Sequence, residues 1–519
     1  MSGRPNPVIS LKSAASFIVI LAACLALLLP LGLFTPPRDS EVWLFQIINE
    51  MQDQQRYVPV LNAESVLGQN PLNLTAMSFL PVIDISTPRL VSCMLGCILI
   101  SGIFLYSLAL FDLSCAFASS LVAMTSLGFL ALFGTLNLMA LPIALVVSAF
   151  GLFSLVYLKG LNSGLYILSY MLAGLAALTG GYFMLVFFLL GALFLILLDL
   201  APSQILSIHL IPGLVIIVCA MGAYFTSYRI ILGPGFSNGA FSPGGHIGLF
   251  RGMYAVITYS SPWIFLVIPA WLYGGGPSDH DAWRTLLPVR IAIVLIVLLL
   301  WSSSSGLNQY ATILAMFASP LIGRWISRAV FPGVQKGRLG YWMMVLAGLS
   351  VFLCALVLLL LPVYSGFAIN TKQLIVGAGF VTAAILFIIL TVKRKMAAQF
   401  ILALFTIVSL VWYMAFLSPE DPWDQKMSYM GGISKNTPLI VYEDDLVMRG
   451  YMSAMDASPM IVNRNVVPLK DTAFLAASTS DLAGLLEGLK GRMHSVLVDS
   501  YRAENIYALV MVSPKRKIE

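Results

Sequence analysis

The chain carries 23 acidic side chains, and 13 of them lie in residues 418–519. Of the ten that remain, Asp39, Glu41, Glu50, Asp53 and Glu64 stand in one segment that follows the first apolar run. Charge is expensive beside lipid and is kept there where it acts, so proton-transfer chemistry has few other places to sit. Asp39 or Glu41 could serve as a general base toward an acceptor hydroxyl or phosphate. The competing reading is electrostatic. Arg38 and Asp39 would be solvated charges at a helix start, and Glu41 an acid in a first turn, where the helix dipole favours it. Arg56, Arg229 and Arg251 are cations able to hold a pyrophosphate or a lipid headgroup, and each alone also suits a headgroup anchor. Tyr310 opens an apolar run, a common place for an interfacial tyrosine. His246 sits in Ser-Pro-Gly-Gly-His, a flexible outer loop, where a catalytic role is the weaker reading.

Other chemistries find less support. The six cysteines (Cys24, Cys93, Cys97, Cys115, Cys219, Cys354) lie in or beside apolar runs, which reads as small buried thiols and not as a disulfide framework. The four histidines are isolated, so no metal-ligand spacing emerges. Ser302–Ser305 lack the base and oxyanion partners of a nucleophile. Met448, Met452 and Met455 read as core. Lys393–Lys395 is a topology signal, and the scattered Lys and Arg behind the net charge of +6 exclude a nucleic-acid surface.

These residues must be positioned by helices in lipid. At 519 residues, 59% hydrophobic and 10% charged, with mean hydropathy +0.92, the chain is no soluble globular protein. Apolar runs predict thirteen spans, near 14–34, 90–111, 114–133, 136–158, 164–179, 182–198, 207–228, 259–275, 286–302, 308–326, 341–363, 373–392 and 398–417. The fifth and sixth divide one long run at Thr179-Gly180-Gly181, a plausible turn. The first run exceeds a signal-peptide core and has no small-x-small cleavage site, so it reads as an uncleaved helix. With the N-terminus cytoplasmic, loops on that side collect twelve Lys and Arg against six opposite. The clusters at 324–338 and 393–395 then share the cytoplasmic side, and the C-terminal tail lies outside, as in a bacterial inner-membrane protein.

Two segments leave this pattern. In the outer loop 35–89, Leu44, Ile47, Ile48 and Met51 share one face at helical spacing, as in an amphipathic helix on the membrane surface. Residues 418–519 have ordinary polarity. There Pro438–Tyr442, Pro459–Asn463, Ser495–Asp499 and Ile506–Val512 read as strands, and Asp445–Met455 and Asp481–Lys490 as helices, giving a small α/β domain. The fold class is therefore an α-helical polytopic membrane protein, residues 1–417, with an extracytoplasmic α/β domain, residues 418–519.

The layout and several short patterns resemble the GT-C class of membrane glycosyltransferases, in the aminoarabinose-transferase and protein O-mannosyltransferase branch. The patterns are Arg38-Asp39-Ser40-Glu41 running on to Asn49-Glu50-Met51, Val58-Pro59-Val60-Leu61-Asn62, Gly68-Gln69-Asn70-Pro71-Leu72, Thr179-Gly180-Gly181, Pro262-Trp263, and Leu307-Asn308-Gln309-Tyr310 followed by Ser319-Pro320-Leu321. The resemblance implies sugar transfer from a polyprenyl phosphate to a lipid, glycan or protein outside the membrane. Asp39 or Glu41 would be the base, depending on register, since alignment through Met51 puts Ser40 at the family's Asp. Arg56, Tyr310 and Arg251 would hold the donor phosphate. Partners are membrane lipids, the donor and other membrane proteins, with no nucleic acid.

The departures carry equal information. The second family acid is missing from Asn137–Pro142, and the family's phosphate-holding lysines are replaced around Gln69, Gly180 and Asn308. A phosphate leaving group needs positive charge or a metal, so no cofactor is certain and a divalent metal ion is one substitute. The coherent loss opens an alternative: a degenerate relative that binds lipid or scaffolds a membrane complex. A solute transporter fits less well, for it would show internal repeats and mid-span charges.

Overall fold

The structure is a computed structural model and describes residues 11–35, 41, 44–45, 47–48, 51–52, 60–61, 64–65, 78–79, 86–160, 164–180, 182–199, 210–232, 249–273, 307–330, 338–364, 371–416, 439–442, 460–462, 473–478, 493–502 and 506–514. Its helices are α1 (Leu11–Phe34), α2 (Ser86–Leu110), α3 (Leu113–Met124), α4 (Leu127–Phe133), α5 (Ala140–Lys159), α6 (Gly164–Gly180), α7 (Tyr182–Asp199), α8 (Leu210–Leu232), α9 (Leu249–Ser260), α10 (Ile264–Tyr273), α11 (Leu307–Val330), α12 (Arg338–Tyr364), α13 (Thr371–Val392) and α14 (Met396–Phe416). Twelve of the thirteen expected runs fall on these helices, and the run at 286–302 lies outside the described residues. By length and composition, six of the described helices can cross a membrane, or eight when each bent pair counts as one span.

The chain divides into two compact units. One holds Met1–Thr35, Leu67–Asn73 and Arg89–Leu417, and the other Pro36–Val66, Leu74–Pro88 and Ser418–Glu519. In the helical unit, local sequence sets the ends of elements. Asp112 caps α3 by accepting from the Cys115 backbone N–H at 2.7 Å. Ser126 caps α4 through Phe129 N–H at 3.4 Å. Gly160 ends α5 in the left-handed conformation, φ 68°, which a side chain would resist. α6 is described to Gly180 and α7 from Tyr182, and Gly181 of the expected turn lies outside the described residues.

α2 and α5 approach each other backbone to backbone. A Cβ built on Gly102 would lie 2.6 Å from Ser148 Cα and 2.8 Å from its N, so the two backbones touch there. Aromatic rings fill the space beside this contact. Tyr106, Phe150 and Phe317 join α2, α5 and α11, with Tyr106 and Phe150 centroids 4.9 Å apart. Phe153, Tyr170 and Phe188 join α5, α6 and α7 edge to face. By contrast, 11% of the apolar window of α13 is buried, against 72% for α5, so α13 presents its surface to lipid.

One end of this unit gathers basic side chains. Arg324 lies over the Phe111 ring at 4.6 Å, beside the start of α3. Tyr341 at the start of α12 donates to the Thr391 carbonyl at the end of α13, and Arg394 lies over the Tyr341 ring at 5.9 Å. Gln399 on α14 donates to Thr391 Oγ1 at 2.9 Å. A Cβ at Gly340 would meet the Trp325 ring, which ties α11 to the same end. Arg324 and Lys393–Lys395 thus share one end, as their spacing along the chain required.

The second unit contains a small antiparallel pair, β1 (Val60–Leu61) with β2 (Glu64–Ser65), and a five-stranded mixed sheet. The sheet is built from β3 (Leu439–Tyr442), β4 (Met460–Val462), β5 (Ala473–Ser478), β6 (Met493–Arg502) and β7 (Ile506–Pro514), in the order β4-β3-β5-β7-β6. β3 runs parallel to β4 and β5, while β7 is antiparallel to β5 and β6. Four of these strands match the expected ones, β5 was not foreseen, and the helices expected at Asp445–Met455 and Asp481–Lys490 lie outside the described residues.

The structure corrects four sequence expectations. The runs 114–133 and 259–275 are not straight. The first is α3 and α4, bent by 66°, and the second contains the join of α9 and α10, bent by 91°. The loop helix exists, but its apolar face does not lie on lipid. Leu44, Ile47, Ile48 and Met51 are 0–8% exposed, so protein covers them. Finally, all six cysteines are free, yet Cys219 and Cys354 are exposed where burial was expected.

Candidate functional site

Of the five residues singled out for chemistry, Glu41 is described most fully. It is helical and 1% exposed, on the same short helix as buried Leu44, Phe45, Ile47, Ile48 and Met51. A carboxylate this buried differs from the solvated first-turn acid of the simpler reading, because desolvation must be offset by matched polar or cationic groups. The helix's last described residue, Gln52, donates to the Ser78 carbonyl at 2.9 Å and fixes that end within the loop. Asp39 and Arg56 lie outside the described residues. Tyr310 falls in the first turn of α11 and Arg251 in the first turn of α9, and α9 and α11 pack together. The structure therefore places the elements of Arg251 and Tyr310 side by side.

Arg89 was counted in the sequence only as one more outer cation. It is 2% exposed and its Nη1 donates to the Thr35 carbonyl, 2.6 Å away, at the end of α1. A Cβ built on the neighbouring Gly32 would lie 2.9 Å from Cys93 Sγ, so the glycine leaves room for that thiol beside the arginine. Arg89→Ala should leave the Thr35 carbonyl without this donor and lower stability by about 1–3 kcal/mol. The melting temperature of purified protein in detergent reads this out, and an unchanged value would refute the clasp.

The two bent helix pairs meet at their breaks. Bending releases backbone groups that lipid cannot satisfy, so they must find partners in the protein. Leu127 N–H donates to the Ser261 carbonyl at 2.9 Å. Trp263 Nε1 donates to Thr125 Oγ1 at 3.0 Å, and that hydroxyl donates in turn to the Leu121 carbonyl at 2.6 Å. Gly128 is required here, because a Cβ would lie 2.7 Å from Thr312 Oγ1 and 2.8 Å from the Tyr259 carbonyl oxygen. Pro262-Trp263 is thus the joint between the two breaks. Beside it lies a cavity of about 190 Å³, lined by Val256, Ser260, Trp263, Val267, Leu314, Ala318 and neighbours, with no charged residue in its lining.

Two positions where the resemblance expects charge also come together. A Cβ on Gly180 would overlap the Pro142 ring, so the end of α6 packs directly on the segment that lacks the second acid. Asn137 in that segment accepts from Met139 N–H at 2.9 Å, an Asx turn just before α5. Among the described residues no three His, Cys, Asp or Glu side chains are grouped to hold a metal ion.

No family model and no curated protein matches the chain by sequence. Solved structures do. The structure is similar to ArnT from Cupriavidus metallidurans in its apo state, with TM-score 0.68 and 16% identity over 96% of this chain and 98% of that one. It is similar to the same protein bound to undecaprenyl phosphate, with TM-score 0.66 and 16% identity over 96% and 97% of the two chains. An oligosaccharyltransferase from Archaeoglobus fulgidus overlaps at TM-score 0.44 and 12% identity, over 69% of its own length. The chain therefore shares the fold of ArnT along nearly its whole length.

Proposed function

We propose that the chain is an integral membrane glycosyltransferase that takes a sugar from a polyprenyl-phosphate donor and passes it to a lipid, glycan or protein acceptor on the extracytoplasmic side. The observation that carries this reading is the end-to-end likeness to ArnT, a protein that binds undecaprenyl phosphate. In this reading thirteen spans hold the N-terminus in the cytoplasm, and residues 418–519 form an α/β domain outside. Parallel β3 and β4 support that domain, since such a pair needs a crossover connection, usually a helix. Asp39 or Glu41 takes the acceptor proton, and Arg56, Arg251 and Tyr310 hold the donor phosphate. With the family's lysines replaced, a divalent cation would be a second source of positive charge for that phosphate.

A second reading is favoured by one observation. Gly180 is packed on Pro142, where the resemblance expects a lysine and an acid. That contact suits a non-catalytic relative that keeps the fold for lipid binding or for assembly with other membrane proteins. One assay separates the two. Purified protein in liposomes is given polyprenyl-phosphate sugars with an extracted membrane-lipid acceptor fraction, and release of free polyprenyl phosphate is followed with and without divalent cation. Turnover is expected. None across the donor series, with the protein copurifying with membrane partners, would establish the second reading.

A further inference from the structure

The cavity at the joint of the two breaks carries a function of its own. It lies in the inner angle of the α9–α10 bend and is closed by α11, with Val256, Ser260, Val267, Leu314, Ala318 and Ile322 in its wall. Ser260 is 6% exposed, and its hydroxyl has no hydrogen-bond partner among the described residues. The other hydroxyl in the wall, Ser126 Oγ, already donates to the Ala123 carbonyl at 2.8 Å. The pocket thus offers hydrocarbon contact and one unused hydroxyl.

Water is a poor occupant, for it needs two to four polar partners. A phosphate is a poor one too, because no cation lines the wall. What fits is a hydrocarbon chain with a neutral oxygen at one end. By the measure in which about 10–15 Å³ holds one water, the cavity takes on the order of ten methylene-sized groups.

Depth points the same way. α9 is strongly amphipathic and meets α10 at 91°, so when α10 descends into the bilayer α9 lies along its surface. Tyr254 and Ile257 on α9 are exposed, as an interfacial helix requires. Ser260, at the corner, then stands at the boundary between headgroups and acyl chains.

We propose that this pocket binds one acyl chain of a glycerophospholipid, with the chain's ester carbonyl accepting a hydrogen bond from Ser260 Oγ. The bound chain would brace the elbow that carries Trp263 against Thr125. The proposal is independent of sugar transfer and holds equally for an inactive relative.

The test uses full-length protein in nanodiscs of phosphatidylethanolamine and phosphatidylglycerol, doped with phosphatidylcholine carrying a mid-chain diazirine. After irradiation, adducts are mapped by peptide mass spectrometry. They are expected on Val256–Val267 and Leu314–Ile322, besides the lipid-facing surface of α13. Ala318→Trp, which fills the pocket, should remove the pocket adducts and leave those on α13. Ser260→Ala keeps the volume and should reduce pocket labelling roughly fivefold, the weight of one neutral hydrogen bond. Labelling confined to α13 and other outer faces in the unmodified protein would overturn the proposal, whatever the variants do. Displacement of the pocket label by equimolar undecaprenyl phosphate, but not by unlabelled phospholipid, would also overturn it by assigning the pocket to an isoprenoid chain.

Discussion

Gly151→Val is expected to leave no folded, monodisperse protein. At this position α5 lies against α2 with nothing between their backbones. A Cβ on Gly151 would overlap the Gly102 carbonyl oxygen and stand 2.8 Å from its carbon and 3.0 Å from its Cα. Overpacking a core with side-chain atoms typically costs about 1–3 kcal/mol, because neighbours can change rotamer. Here every atom in the way is backbone, so the helices must separate. Separation would also break the hydrogen bond from Ser148 Oγ to the Ile98 carbonyl, 2.8 Å, and loosen the contact of Tyr106 with Phe150. Gly222→Val is the control, since a Cβ there meets nothing within 4 Å. Size-exclusion profiles and melting curves in detergent should show collapse for the first and wild-type behaviour for the second. A Gly151→Val protein that elutes and melts like wild type would show that the two helices do not touch as described.

The second large effect concerns turnover. The double substitution Asp39→Ala with Glu41→Ala should reduce sugar transfer by roughly 10²–10⁴-fold, the usual contribution of a positioned general base. The reading rests on the scarcity of alternatives. The membrane part of the chain has ten acids, and among these Asp39 and Glu41 match the acidic position of the resembling family. Glu41 is buried, which favours a carboxylate held in a defined place over one mobile in solvent. The single variants fix the register that sequence left open, because only loss of the true base removes the rate. Melting curves must accompany the assay, since removing a buried carboxylate from its partners can destabilise the loop helix. Full turnover in a stable double variant would end the general-base mechanism at these positions.

How much of this was legible in the sequence depends on which physical signal each feature leaves. Apolar runs report helices in lipid directly, because every backbone group there must be bonded within its own helix. The loop helix was equally readable, since Leu44, Ile47, Ile48 and Met51 repeat at helical spacing. The bends at Thr125-Ser126 and Ser261-Pro262 were not. Hydropathy is a sum over composition, and a break changes direction without changing composition. The signal was present in hydrogen-bonding residues at the breaks, Thr125, Ser126, Ser260 and Ser261, but such residues also occur in straight membrane helices. β5 escaped because Ala473-Phe474-Leu475-Ala476-Ala477-Ser478 is rich in alanine, a residue depleted in strands. Within the candidate site, residue types pointed to Glu41, Tyr310 and Arg251. Pairing is a property of three dimensions, so neither the Arg89 clasp onto Thr35 nor the contact of Gly180 with Pro142 could be read from the chain.

The joint between the breaks has a consequence for biogenesis. Thr125 and Trp263 are 138 residues apart, and Leu127 has no backbone acceptor in its own helix. During synthesis, the bent segment α3–α4 enters the membrane long before Ser261 and Trp263 leave the ribosome. At about 5–20 residues per second, that interval is on the order of ten seconds. Through it, the freed polar groups near Thr125 must be sheltered by the insertion machinery or by a temporary straight helix. The bend is then completed only when the later pair arrives, so the order of insertion is written into the hydrogen bonds of the finished fold.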